Sequence, residues 1–222
     1  MAASPALVTI DGPAGVGKST LARMLARRFG LAYLDTGAMF RAVGLALGPQ
    51  GPDLPEDALR GRLAGLSFTL AGSGEASMLL LNGRPLGEEI RSEEAALLGS
   101  NAARLTAVRE FLKAAQQAIG KATPLVAEGR DMGSVVFPRA RHKFFLDASI
   151  EERARRRFLQ LKDQGRPAEL TRIAEQIRLR DEQDRNRPIA PLVPAADAVV
   201  IDTTALSVAQ AFERLVAAIE AS

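Results

Sequence analysis

The tract Ala6-Leu7-Val8-Thr9-Ile10-Asp11 is a short apolar run that leads directly into Gly12-Pro13-Ala14-Gly15-Val16-Gly17-Lys18-Ser19-Thr20. Beyond this turn, Leu21, Met24, Leu25 and Phe29 recur at helical spacing until Gly30 stops them. The order is buried strand, glycine-rich turn, helix. The turn matches G-x-x-x-x-G-K-[ST] in the context that motif requires. Glycines let the backbone wrap closely around phosphates with its N–H groups turned inward. The helix N-terminus adds about half a positive charge. Lys18 is expected to reach the β- and γ-phosphates of a nucleotide, and the Ser19 hydroxyl to ligate Mg²⁺. The nucleotide-binding set is therefore Gly12, Pro13, Ala14, Gly15, Val16, Gly17, Lys18, Ser19 and Thr20.

A strand feeding a helix through such a turn calls for a sheet with helices on both faces, and the rest of the chain supplies one. Leu31–Leu34, Pro124–Ala127, Lys143–Leu146 and Ala198–Ile201 read as four more short apolar strands. Helical segments are expected over about Met39–Leu47, Glu56–Leu66, Ser92–Ile119, 150–187 and 207–220. Five such strands alternating with helices make a parallel sheet in an α/β fold. The rhythm breaks once. Ser67–Leu70 and Met78–Leu81 are strand-like, and Asn82-Gly83 is a hairpin signal, so a small antiparallel β element is inserted. Ligands of parallel sheets bind at the carboxyl ends of the strands. Glu128, at such an end beside the first strand, is a candidate to hold a Mg²⁺-bound water, or else a capping or salt-bridged carboxylate.

Several functions are excluded. There is no N-K-x-D segment to read guanine, which argues against a GTPase switch. No Cys and one His (His142) exclude a thiolate nucleophile and a His-rich metal cluster. Met1 to Ala6 are not basic and Leu7–Ile10 is too short for a signal-peptide core, so a cytoplasmic protein is expected. No run approaches the ~20 apolar residues of a membrane span. Of 29 basic residues, 24 are Arg, and residues 151–187 carry ten Arg and one Lys against eight acids. That surplus of three equals the net charge of the whole chain. Forked, planar Arg donors suit phosphate and carboxylate. Nucleic acid is a poor fit, with a small surplus, one Tyr for stacking and no matching module.

Beyond the phosphate loop stand Leu34-Asp35-Thr36-Gly37-Ala38-Met39-Phe40-Arg41, Gly129-Arg130-Asp131-Met132-Gly133 through Pro138, Phe145-Leu146-Asp147-Ala148, Arg180-Asp181-Glu182-Gln183-Asp184-Arg185-Asn186-Arg187 with Ala190-Pro191-Leu192, and Ala195-Ala196-Asp197-Ala198. Together they resemble the bacterial cytidylate kinases, which belong with the nucleoside monophosphate kinases. The resemblance implies a five-stranded parallel sheet of P-loop kinase type plus the small antiparallel insertion. It implies a core of 1–60, 93–152 and 171–222, a monophosphate-binding insertion of about 61–92 and a lid of about 153–170. It implies ATP and Mg²⁺ as cofactors, CMP and dCMP as substrates, and a monomer without nucleic-acid or membrane partners.

The same resemblance implies residue roles. Arg41, Arg130 and Arg187 would hold the CMP phosphate. Ser100, Arg109 and Asp131 would read the cytosine edge, and Arg180 and Asp184 the ribose hydroxyls. Thr36 and Phe40 complete the substrate set, although Phe40 stands where the family commonly has Tyr. Lys18, Arg130 and the lid residues Arg153 and Arg157 would neutralise the transferring phosphoryl group. A kinase for another small molecule (UMP, shikimate or dephospho-coenzyme A), a non-catalytic nucleotide-binding protein and a nucleic-acid-stimulated ATPase stay open at this point.

Overall fold

The computed structural model describes residues 6–221. Most of the non-basic N-terminal segment lies outside the described residues. Leu7–Asp11 (β1) pairs in parallel with Leu125–Gly129 (β6) on one side and His142–Asp147 (β7) on the other. Ala32–Asp35 (β2) and Val199–Asp202 (β8) add at the two edges, giving the order β2-β6-β1-β7-β8. All five strands are parallel, so all five carboxyl ends meet along one edge of the sheet.

Residues alternate across the sheet, as strand geometry dictates. Val8, Ile10, Tyr33, Val126, Phe144 and Leu146 face one apolar cluster, which includes Leu21, Leu25 and Ala26 of Lys18–Phe29 (α1) and Leu215 and Ile219 of Val208–Glu220 (α8). Ala32, Leu34, Leu125 and Ala127 face the opposite cluster, with Met39 and Val43 of Thr36–Leu47 (α2), Leu59 and Leu63 of Glu56–Ala64 (α3), and Val108 and Leu112 of Thr106–Ala122 (α5). The inner strands β1, β6 and β7 are buried along most of their length because both faces are covered. Ile150–Asp163 (α6) and Leu170–Asn186 (α7) pack on each other through Ala154, Leu161, Ile173 and Ile177 as a separate small cluster.

The expected helix over Ser92–Ile119 is two helices, Glu93–Ala102 (α4) and α5. The chain turns at Ala103–Leu105, a break that continuous apolar periodicity does not announce. The insertion is a three-stranded antiparallel sheet of Phe68–Ala71 (β3), Met78–Leu81 (β4) and Arg84–Pro85 (β5). The third strand follows from Asn82-Gly83, where Asn82 (φ 50) and Gly83 (φ 75) both take left-handed backbone. The linker between β3 and β4 is fastened to β2. Gly74 N–H donates to the Leu31 carbonyl at 2.7 Å, and Tyr33 N–H donates to Ser77 Oγ at 2.8 Å.

Helices α2 and α4 cross at glycine on both sides. A Cβ on Gly44 would lie 2.5 Å from the Gly99 nitrogen, and one on Gly99 would lie 2.9 Å from Arg41 Cα. This crossing sets the distance from α4 to Arg41. Gly44→Ala is expected to force the helices apart at a cost of about 1–3 kcal/mol. Thermal unfolding would register this as a midpoint lowered by about 2–4 °C per kcal/mol.

Candidate active site

At the end of β1 the chain must pass beneath β7 before entering α1. Gly12 does this with φ 144, where a Cβ would stand 2.1 Å from the Leu146 carbonyl oxygen, so no side chain fits. The α1 N-terminus then opens with N–H groups available to an anion. Lys18 is buried in this loop and its ammonium donates to the Pro13 carbonyl at 2.6 Å. Burial, then the Arg130 charge, push its pKa well below the ordinary lysine range against the pull of Glu128.

Glu128 ends β6 beside the loop and is 4% exposed. It accepts from the Tyr33 hydroxyl, and the Ser19 hydroxyl is a second donor to it. Burial raises its pKa, with Asp35 adding to the shift and Lys18 opposing it. Asp35 divides its two oxygens, one accepting from Ala38 N–H (2.8 Å) as the N-cap of α2 and the other from Arg41 (3.0 Å). Among the described residues no group of three or more His, Cys, Asp or Glu side chains could hold a metal ion. The Ser19 hydroxyl and the Glu128 carboxylate are hard oxygen groups of the type Mg²⁺ accepts, in the small number that suits an ion shared with phosphates.

The opposite wall is built on Asp11, the last residue of β1. Its carboxylate accepts from Met132 N–H at 2.8 Å and Gly133 N–H at 2.7 Å. Burial pushes its pKa up to about 6 even against those two bonds. The clamp fixes the helical turn Met132–Val136 that follows Arg130-Asp131. Arg130 Nε donates to Asp184 at 2.8 Å. Arg109, 9% exposed, donates to one oxygen of Asp131, and Arg187 lies 4.0 Å from the other. Arg187 also lies 3.8 Å from Asp184. Burial would raise the pKa of Asp184, but Arg130, Arg180 and Arg187 together hold it below the usual carboxylate range. Two buried donors of this wall, Arg41 Nε and Arg187 Nη2, have no hydrogen-bond partner among the described residues.

The sequence-derived set is thus largely brought together: Lys18, Arg41, Arg109, Arg130, Asp131, Arg180, Asp184 and Arg187 are linked by hydrogen bonds, ion pairs or electrostatic coupling. Phe40 packs under Arg109, whose guanidinium carbon is 5.5 Å from the ring centroid. Thr36 is 2% exposed and its hydroxyl donates to the Glu128 carbonyl at 2.6 Å, so that donor is already used. Ser100 is exposed on α4, next to the Gly99 that touches Arg41.

Arg153 departs from expectation. The lid was expected to begin there, yet Arg153 is 2% exposed and pairs with Asp181 through both guanidinium nitrogens (3.0 and 2.6 Å). It also donates to the carbonyls of Ala148 (2.9 Å) and Ala14 (3.3 Å). It is therefore an anchor between α6, α7 and the phosphate loop, not a mobile cation. Helical spacing places Arg153 and Arg157 on one face but does not show that the face turns inward at its first residue. Among the described residues, Arg157 donates within its own helix, to Gln160 at 2.8 Å. Asp11, Tyr33 and Asp181 were not foreseen. The only available signal was a carboxylate or phenol in an otherwise apolar strand, or an acid one helical turn from a buried Arg.

A phosphate loop at the carboxyl edge of a parallel sheet, facing a wall of paired Arg and Asp side chains, defines a P-loop phosphotransferase for a small anionic acceptor. The sequence profile described as cytidylate kinase matches residues 8–221. A cytidylate kinase of Maridesulfovibrio salexigens is 57% identical over 213 residues, covering 96% of each chain. One of Nitratidesulfovibrio vulgaris strain Hildenborough is 61% identical over 91% of this chain and 87% of the relative. One of Vibrio vulnificus is 43% identical over 99% and 98%. The chain belongs to the cytidylate kinase family.

The two lid arginines should separate in a stability measurement. Arg153→Ala leaves Asp181 buried and unpaired and is expected to cost about 3–5 kcal/mol in denaturant unfolding. Arg157→Ala should stay within about 0.5 kcal/mol of the parent.

Proposed function

We propose that the protein transfers the γ-phosphoryl group of ATP in line to the 5′-phosphate of CMP or dCMP, giving ADP and CDP or dCDP. The observation that carries this reading is the Arg109–Asp131 pair, set in the same cleft as the phosphate loop. Arg109 occupies one oxygen of Asp131 and leaves the other for the N4 amino group of cytosine, a donor that uracil lacks. Arg109 in turn can donate to the acceptors on the same base edge. Phe40 supports it through its ring, so a hydroxyl at that position is dispensable for holding Arg109.

On this reading Arg41, Arg130 and Arg187 hold the acceptor phosphate, and the two unpartnered donors of Arg41 and Arg187 are the first to be satisfied. Arg180 and Asp184 meet the ribose, and the exposed Ser100 adds a hydroxyl at the rim of the base site. Lys18 leaves the Pro13 carbonyl for the β- and γ-phosphates. Ser19 ligates Mg²⁺, and Glu128 takes a water of its shell. When bound, Mg²⁺ neutralises charge on the donor phosphates. A phosphate monoester has a second pKa near ~6, so the acceptor is already largely a dianion at pH 7 and needs no base from the protein.

Residues 61–92 would serve the acceptor side and 153–170 would form the lid. Arg153 is its fixed root and Arg157 the first cation free to swing. Support for that reach comes from Arg166 in the α6–α7 loop, which pairs with Glu93 at the start of α4 at 2.5 Å. Closure would exclude water and suppress ATP hydrolysis. On this reading the protein acts as a monomer on small molecules without nucleic acid. No helix among the described residues is long and apolar enough to cross a membrane, and we assign the protein to the cytoplasm.

The test is a coupled ADP-release assay with CMP, dCMP, UMP and AMP at equal concentration. Turnover should be high with CMP and dCMP and at least about tenfold lower with UMP and AMP, about one misplaced hydrogen bond to a charged group. ADP release that ignores the monophosphate would sink the reading.

A further inference from the structure

Tyr33 is the single tyrosine of the chain, it is 7% exposed, and no role assigned above uses it. On β2 it lies two residues before Asp35. The register puts Tyr33 opposite Val126 and Asp35 opposite Glu128, so all four side chains stand on one sheet face. The ring is held in the core on that face, with the Arg23 guanidinium 5.0 Å from its centroid. Its backbone N–H is fixed by Ser77 Oγ at 2.8 Å, and that hydroxyl donates onward to the Gly74 carbonyl at 2.8 Å. A phenol held from both sides in this way has one polar atom to place, and it places it on the Glu128 carboxylate.

Glu128 faces a mixed field. Lys18 and Ser19 attract or donate to it, Asp35 repels it, and the carboxylate is buried from water. A glutamate has three side-chain torsions, and without a fixed donor it could turn away from Ser19. We propose that Tyr33 is a positioning residue which locks the Glu128 carboxylate toward Ser19, so that Glu128 can hold the water shell of the nucleotide-bound Mg²⁺. The inference rests on the placement of Mg²⁺ between Ser19 and Glu128 given above. It adds to that placement a residue that touches neither metal nor substrate. The insertion takes part indirectly, because Ser77 fixes the strand segment from which the phenol reaches.

The chain has no Trp, so its intrinsic fluorescence reports Tyr33 alone. A phenol that donates to a carboxylate emits weakly. The first measurement is the emission of the ligand-free protein with and without Glu128→Gln, which should brighten about twofold or more, because a neutral amide carbonyl is a far weaker acceptor than a carboxylate. The second is the Mg²⁺ dependence of turnover at fixed ATP and CMP. Tyr33→Phe should raise the half-maximal Mg²⁺ concentration about tenfold, the scale of losing a partner behind a metal-binding group. The KM for CMP should not change, and excess Mg²⁺ should restore the rate. Unchanged emission in Glu128→Gln would overturn the proposal whether or not Tyr33→Phe folds. So would a wild-type Mg²⁺ response in Tyr33→Phe while Glu128→Gln shifts it, which leaves the metal placement standing. A wild-type Mg²⁺ response in both variants would remove the metal placement itself and the role of Tyr33 with it.

Discussion

The structure turns on one carboxylate. Asp11 closes β1 at the point where the phosphate loop begins, and its two oxygens take the N–H groups of Met132 and Gly133. One buried side chain therefore sets the distance between the loop that would cradle a donor and the turn that carries Arg130 and Asp131. Its burial is costly, as a pKa of about 6 shows. Two backbone hydrogen bonds to a charged acceptor offset much of that cost. Their backbone donors come from a turn that leaves the sheet immediately after β6, so the parallel β1–β6 pairing and the clamp fix one another.

Around that clamp the arginines are spent in two ways. Arg153 is consumed entirely inside the fold, with both ends of its guanidinium on Asp181 and further bonds to Ala148 and Ala14. Arg41, Arg109, Arg130 and Arg187 are paired to Asp35, Asp131 and Asp184 but not saturated. The carboxylates keep four cations from repelling one another apart while leaving donors to spare. This division explains why the excess of Arg over Lys is partly architectural. A Lys could give neither the two-point pair at Asp181 nor a half-used fork.

Much of this was legible in the residues. Gly12 to Thr20 foretold both the loop and the strand and helix that flank it, because the turn works only in that setting. The five apolar tracts foretold the parallel sheet, and Asn82-Gly83 foretold a hairpin. That Arg130, Asp131, Asp184 and Arg187 lie near one another was implied by the resemblance of the Gly-Arg-Asp and Asp-Arg-Asn-Arg segments to the cytidylate kinases, not by any local pattern. What escaped depended on tertiary placement. The break at Ala103–Leu105 separates α5 from a helix that packs on α2 at Gly44 and Gly99, and apolar periodicity alone does not record it. Arg153 looked like Arg157 because both sit on one helical face, and only the approach of α7 separates them. Tyr33 read as one more core residue, since nothing in an apolar strand reveals what its hydroxyl meets.

The attachment of the insertion to β2 has a consequence for how copies of this chain meet. A parallel sheet of five strands has two open borders, and an open border is a template for another strand. At β2 the Leu31 carbonyl and Tyr33 N–H are already taken by Gly74 and Ser77. The other border, β8, shows Val199 and Val200 at 47% and 59% exposure. The insertion thus covers part of one flank of the sheet, while two valines stand exposed on the other. The two borders of the sheet therefore differ: β2 lies under the insertion, and β8 at the far side carries exposed apolar side chains.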